Sequence, residues 1–231
     1  METLCLQRQG IEADCYANAI DENTCHPDLA RQVTPMSVVP WIRKPILHRA
    51  GGRNRTLSRG LNHLAGVAFC RLSGKALQGY DVLQAHYQPA PWMCYFAHQK
   101  YGTPYTYYAQ GICRELYPRS VDLETNPERR FHRSFLRNFR FWRDLDSDSV
   151  RNAALCFANS QHIEQQLRKL YEIRNVGVLY PGVDTELFRP MSAEETSFLG
   201  PKYGIRTSFI LTSNQHVGYK RIDWLIQMMP L

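Results

Sequence analysis

Short apolar runs alternate with longer stretches of helical spacing along the middle of the chain. Asp81–His86 and Thr103–Ala109 are short runs rich in apolar, aromatic and β-branched residues, which favour strands. Pro89–Lys100, between them, is predicted to be a helix that ends at Gly102. A strand–helix–strand unit of this kind favours parallel strands and a right-handed crossover. The pattern therefore predicts an α/β fold.

The same alternation continues further along the chain. Ala154–Ala158 is predicted to be a strand, and Ser160 is predicted to cap a following helix that has one apolar face. Val176–Tyr180 is another apolar run, typical of a buried strand. Pro181 and Gly182 stop this strand, because proline has no N–H to donate and glycine accepts a left-handed turn.

Further elements are predicted on both sides of this central part. Leu4–Gln9 has the pattern of a helix end, Gly10 that of its C′ residue, and Ile11–Ala17 that of a strand. Beyond residue 190, Phe209–Thr212 is predicted to be a strand and Ile222–Met229 to begin a helix.

The predicted helix Asn126–Leu145 is the most polarised in the chain. Its apolar side consists of Phe131, Phe135, Phe139, Trp142 and Leu145, and its basic side of Arg129, Arg133, Arg137 and Arg140. One interpretation places the aromatic side in the core and the arginines in water. The other places the helix on an anionic membrane or acceptor surface, which Arg133, Arg137 and Arg140 would contact. The pattern leaves both open.

Charge narrows the class of partner. The 231 residues carry a formal net charge of +7, and 44% of them are hydrophobic, which is typical of a globular protein. No apolar run approaches the roughly 20 residues of a membrane span. The excess of positive charge suits a nucleotide diphosphate, a lipid phosphate, a membrane surface or nucleic acid. The net charge alone does not distinguish among these four kinds of partner.

Cysteine usage and the first residues bear on location. The seven cysteines are odd in number and contain no C-x-x-C, so we interpret them as reduced and mostly buried thiols. Residues 1–10 lack a basic head followed by an apolar core, unlike a signal peptide. We therefore expect a cytoplasmic protein, with peripheral attachment to the inner face of the membrane as the alternative that the basic helix leaves open.

Residues 178–190, VLYPGVDTELFRP, resemble the hinge segment of the large glycosyltransferase group 1 family (family 4, GT-B architecture). In that family a PNGVD…F.P stretch leaves an N-terminal Rossmann-like domain and enters the nucleotide-sugar-binding domain. Two upstream stretches support the likeness: residues 158–160 resemble the family's ANS, and residues 81–86 its DVIHAH strand. The hinge likeness is carried by the spacing of Pro181, Gly182, Val183, Asp184, Phe188 and Pro190.

The resemblance implies a Rossmann-like, doubly wound parallel sheet and a division of the chain. Residues 1–180 would form the acceptor-side domain, 181–190 the interdomain hinge, and 191–231 the start of the donor-binding domain. In the family, a first strand with a glycine-rich turn precedes the part matched by residues 6–18, and a Glu-x7-Glu segment would lie beyond residue 231. We therefore expect a chain truncated at both ends, which by itself is catalytically silent and poorly stable.

The resemblance also implies a reaction and its residues. The reaction would be retaining transfer from a nucleotide sugar to a glycan or lipid-linked acceptor, with no metal and no other cofactor. Lys220 matches the lysine that holds the donor diphosphate, Arg221 adds charge beside it, and Gln215 replaces the family's arginine. Gln110 stands where the family often has a histidine near the reacting sugar, and His86 would face the acceptor.

Two alternatives stay open. A basic module could bind lipid or nucleic acid without transferring a sugar, although no nucleic-acid-binding motif is present and we expect no nucleic-acid partner. A degenerate relative could keep the fold without the chemistry, which would agree with Gln110 and Gln215. The sequence contains no zinc spacing, no nucleophile elbow and no Gly-x4-Gly-Lys-Ser/Thr phosphate loop.

Overall fold

The computed structural model describes residues 2–17, 31, 33–35, 67–112, 140–186, 188–205, 209–214 and 220–229. The strands in this part of the chain are β1 (Cys15–Ala17), β2 (Val33–Pro35), β3 (Leu83–His86), β4 (Tyr105–Ala109), β5 (Leu155–Ala158) and β6 (Val176–Val178). A small sheet pairs β1 with β2, and a larger sheet has the order β3-β4-β5-β6. All neighbouring strands run parallel.

Helices in the same described ranges precede, connect and follow these strands. They are α1 (Glu2–Arg8), α2 (residues 67–73), α3 (Ala90–Tyr101), α4 (Arg140–Arg151), α5 (Gln161–Tyr171), α6 (Leu199–Tyr203) and α7 (Ile222–Met228). A 3-10 turn at Gly74–Leu77 follows α2. Helix α3 therefore lies between β3 and β4 in the chain, and α5 lies between β5 and β6, as parallel pairing requires.

Burial along the strands follows their place in the larger sheet. Four of the five residues of the inner strand β4 are buried, as expected for a strand covered on both faces. On β3, which has only β4 as a partner in the described sheet, Leu83 and Ala85 are buried and Gln84 and His86 are exposed. This alternation puts the side chain of His86 on the exposed side of its strand.

The core lies between the larger sheet and helices α3, α4 and α5. Helix α3 packs on β3, β4 and α4, and α5 packs on β5 and β6. The core is aromatic as well as aliphatic. Its largest fully buried apolar side chains are Tyr105, Tyr107, Val150, Leu167 and Tyr171.

Two predicted helix boundaries are confirmed. Gly102 has a φ of 76°, a left-handed conformation that glycine adopts without strain, and its N–H donates to the carbonyl of His98 over 2.8 Å. At the start of α5, the Oγ of Ser160 accepts a 3.3 Å hydrogen bond from the N–H of Ile163.

The predicted α/β fold with a Rossmann-like parallel sheet is confirmed. Each of the four strands predicted between residues 81 and 180 is present, and each is shorter than predicted by one or two residues at one end. The strand predicted at Ile11–Ala17 is only Cys15–Ala17. This strand is shorter than predicted because its hydrogen-bonded pairing with Val33–Pro35 spans only three residues.

The strand predicted at Phe209–Thr212 is wrong. These residues have no strand conformation and pair with no strand in the described part of the chain. Their apolar side chains are exposed, including 82% of Leu211. The helix predicted after them is confirmed as α7. An apolar run becomes a strand only where a neighbouring chain accepts its hydrogen bonds.

The predicted helix Asn126–Leu145 is described only from Arg140 onwards, and it continues to Arg151 instead of ending at Leu145. Trp142 and Leu145 are buried, which supports the interpretation that this part of the apolar side faces the core. The prediction for the residues before Arg140 lies outside the described part. Across the described ranges, no helix has both the length and the apolar character needed to span a bilayer.

Candidate functional site

The carboxyl ends of the four parallel strands form one edge of the larger sheet. We call this the carboxyl edge and define it by His86, Gln110, Asn159 and Leu179, which lie at or just after the ends of β3, β4, β5 and β6. Helices α3 and α5 begin at this edge, so their N-terminal amides add partial positive charge there. Ligands of parallel α/β sheets bind beyond such edges.

The imidazole of His86 occupies the β3 end of the carboxyl edge, as predicted. It is exposed, and its Nε2 lies 3.1 Å from the side-chain Nε2 of Gln84, which donates when the ring proton is on Nδ1. The ring meets the ring of Tyr108 edge-on, with centroids 5.4 Å apart and planes at 72°. These two contacts give the exposed ring of His86 a defined orientation.

Gln110 lies on the neighbouring strand end, also as predicted, and is exposed. Its backbone carbonyl accepts a 3.0 Å hydrogen bond from Nδ2 of Asn159, and the backbone N–H of Asn159 donates to the carbonyl of Ala109 over 3.2 Å. The turn that carries Gln110 is thereby tied to the end of β5. The structure thus places His86 and Gln110 on adjacent strands of one edge.

A buried carboxylate that the sequence pattern did not predict lies behind the edge. Asp146 on α4 is fully buried, and its Oδ1 accepts hydrogen bonds from Nε2 of Gln88 (3.3 Å) and Nε1 of Trp92 (3.2 Å). Its Oδ2 accepts from the hydroxyl of Tyr171 over 2.7 Å. Burial raises the pKa of Asp146, and these three hydrogen bonds oppose the rise. Because Gln88 follows β3, Asp146 ties the turn after His86 to the helices.

One signal in the sequence could have revealed Asp146. It lies four residues after Trp142, and Ser149 lies seven residues after Trp142, so all three share one side of a helix. All three are buried. Polar residues that continue an apolar stripe at helical spacing therefore mark a buried polar cluster here.

Tyr108 is a second residue that the sequence analysis missed. Its ring contacts His86, and its hydroxyl donates a 3.0 Å hydrogen bond to the carbonyl of Leu179. Leu179 precedes the 181–190 segment, so one side chain contacts both ends of the carboxyl edge. Residues 108 and 179 are far apart in the chain, and no spacing rule connects them.

The predicted donor-side residues are described in part. Lys220 is exposed just before α7. The guanidinium of Arg221 lies 3.8 Å from the ring centroid of Trp224, and its Nη2 is 3.4 Å from Oδ2 of Asp223. Asp223 therefore offsets part of the charge that Arg221 brings. Gln215 lies outside the described residues.

The remaining predicted site residues are Arg133, Arg137 and Arg140. Arg133 and Arg137 lie outside the described residues, as does the side chain of Arg140. Within the described ranges, no group of three or more His, Cys, Asp or Glu side chains could hold a metal ion. Burial raises the pKa of the Cys70, Cys94 and Cys156 thiols to about 12, so these cysteines are not nucleophiles near neutral pH.

The sequence profile of the family described as Glycosyltransferase Family 4 matches residues 3–187. The match covers most of the chain, including the carboxyl edge with His86 and Gln110, and it ends before Lys220 and Arg221. No curated protein matches the chain.

Proposed function

The chain belongs to glycosyltransferase family 4, and from this premise we propose that it serves retaining transfer of a sugar from a nucleotide-sugar donor to a glycan or lipid-linked acceptor. The observation that carries the proposal is the match over residues 3–187, which includes the whole carboxyl edge. Under the proposal, residues 1–180 form the acceptor side, 181–190 the hinge, and 191–231 begin the donor side.

The carboxyl edge supplies the acceptor side of the proposed reaction. His86 and Gln110 are exposed on adjacent strand ends, and both side chains can donate and accept hydrogen bonds with sugar hydroxyls. The N-termini of α3 and α5 at the same edge favour a bound group with negative charge, such as the phosphate of a lipid-linked acceptor. The edge thus suits a polar, partly anionic acceptor.

The proposed donor side rests on Lys220, Arg221 and Gln215. The leaving nucleoside diphosphate gains negative charge as the sugar departs, and positioned cations and N–H donors stabilise that charge. Lys220 would supply the main cation, because Asp223 partly offsets Arg221. Gln215 would add a neutral donor. The proposal includes no metal ion and no further cofactor.

The test is a calorimetric titration of the protein with UDP and with GDP, since donor binding does not require turnover. Lys220→Ala should weaken the binding of the preferred diphosphate about tenfold, because a charge-assisted contact is lost. Lys202→Ala is the matched control. Lys202 is also an exposed lysine, and its ammonium lies over the rings of Phe198 and Tyr203.

The control variant should bind the diphosphate like the unaltered protein. Equal affinities in the Lys220→Ala and Lys202→Ala variants would remove Lys220 from the donor site. The absence of UDP and GDP binding in the unaltered protein would contradict the proposed function as a whole.

A further inference from the structure

Tyr108 lies at the centre of the carboxyl edge. It is the fourth residue of β4 and lies opposite His86 in the register of the parallel pair. Only 6% of its surface is exposed, so its contacts are made inside the protein. The edge-on packing of its ring against His86 is one of these contacts.

The second contact reaches across the sheet. Strand β5 lies between β4 and β6, yet the hydroxyl of Tyr108 donates to the carbonyl of Leu179, which follows β6. The N–H of Leu179 in turn donates to the carbonyl of Ala158 over 2.9 Å. Leu179 is therefore held through both of its backbone polar groups, two residues before the 181–190 segment begins.

A rigid side chain joins the two contacts. The phenol of Tyr108 has two side-chain torsions, and its ring and hydroxyl move as one body. Displacement of the Leu179 carbonyl would therefore reorient the ring of Tyr108. The reoriented ring would in turn shift the imidazole of His86, which packs against it. A movement at either end would then reach the other through the single side chain of Tyr108.

We propose that Tyr108 is a positioning residue for His86. Through its hydrogen bond to Leu179, it sets the orientation of the His86 ring according to the position of the chain that enters the 181–190 segment. The inference rests on the proposed function, in which His86 faces the acceptor and this segment leads to the donor side. Tyr108 would then adjust the acceptor side to the arrangement of the segment. Its role is separate from any contact with the substrate.

The test uses Tyr108→Phe, which keeps the ring and removes only the hydroxyl. Tyr105→Phe is the matched control, because Tyr105 lies on the same strand and its hydroxyl donates to the carbonyl of Ser149 over 2.6 Å. The control thus loses a comparable hydrogen bond that touches neither His86 nor Leu179. Circular dichroism establishes that both variants are folded.

Two NMR readouts on the ligand-free protein decide the matter. The first is the ring-proton resonance of His86 at a pH of about 8, where a typical imidazole is neutral, identified by its loss in the His86→Gln variant. The second is hydrogen exchange at the amide of Leu179. In Tyr108→Phe, the His86 resonance should move and the amide should exchange about fivefold faster, as the loss of one hydrogen bond implies.

The control should leave both readouts at their original values. The inference is overturned if Tyr108→Phe behaves like Tyr105→Phe, or if only one readout changes, because the two contacts would then be independent. Tyr108→Leu, which also removes the ring, should displace the His86 resonance further. If Tyr108→Phe does not fold, Tyr108→Leu is judged by the same two readouts.

A separate arm adds UDP or GDP to the unaltered protein. Binding with a shift of the His86 resonance that is lost in Tyr108→Phe would support both the proposed function and the positioning role. Failure to bind either diphosphate would contradict the proposed function alone, because the ligand-free readouts would still decide the role of Tyr108.

Discussion

The hydroxyl of Tyr171 donates a 2.7 Å hydrogen bond to Oδ2 of Asp146, a carboxylate with no exposed surface. Tyr171 is the last residue of α5, and Asp146 lies within α4. Trp92 of α3 and Gln88, which follows β3, donate to the other carboxylate oxygen. One carboxylate therefore joins three helices to the turn that follows His86, and it supports the candidate acceptor side from behind.

Asp146 should make stability depend on pH in a defined direction. Burial raises its folded-state pKa above the ordinary value of 3.8, so ionisation costs more free energy in the folded than in the unfolded protein. The stability contributed by Asp146 is therefore complete below pH 3.8 and is lost as pH rises through the folded pKa. Asp146→Asn removes this titration.

The measurement is the free energy of unfolding by urea for both proteins across acidic pH. The free energy of unfolding of the unaltered protein minus that of the Asp146→Asn variant should decrease as pH rises above 3.8. Taking the difference cancels the titration of the other carboxylates, which is the same in both proteins. A flat difference, or one that increases with pH, would show that the carboxylate is not held as described.

The bond between Tyr171 and Asp146 should appear as a coupling energy. Tyr171→Phe should destabilise the protein by about 0.5–1.5 kcal/mol, the usual net contribution of a hydrogen bond. In an Asp146→Ala background, Tyr171→Phe should lower the free energy of unfolding much less, because the acceptor of the hydrogen bond is already absent. Urea unfolding of the four proteins of this double-mutant cycle gives the coupling.

Tyr16→Phe is the control for that cycle. The hydroxyl of Tyr16 lies 2.7 Å from the hydroxyl of Tyr80, in a contact that involves neither Asp146 nor Tyr171. Tyr16→Phe should lower the free energy of unfolding by the same amount whether residue 146 is aspartate or alanine. Additive effects of Tyr171→Phe and Asp146→Ala would rule out the hydrogen bond as a source of stability.

Sequence alone predicts the elements whose signals are local. The β-branched and aromatic run of β4, the cap formed by Ser160 and the left-handed turn at Gly102 each depend on residues close in the chain. The positions of His86 and Gln110 at the carboxyl edge follow from these elements, because the ends of parallel strands share an edge.

Features that depend on distant residues were not predicted. The apolar run at Phe209–Thr212 indicates a strand, but strand formation also requires a partner that accepts its hydrogen bonds. Asp146 breaks the polar-outside rule because three donors from other elements satisfy it. The contact of Tyr108 with Leu179 joins a residue of β4 to the residue that follows β6, a strand that is not its neighbour, and a single sequence does not encode such a contact in any spacing.

A titration with UDP-glucose, UDP-N-acetylglucosamine and GDP-mannose, at low and at physiological salt, tests the claim that this protein recognises a nucleotide sugar. Duplex DNA and anionic lipid vesicles serve as comparison ligands. We predict saturable, one-to-one binding of at least one nucleotide sugar that persists at physiological salt, because a shaped site contributes more than net charge. Binding only to DNA or vesicles, and only at low salt, would contradict the claim and indicate a basic surface without donor recognition.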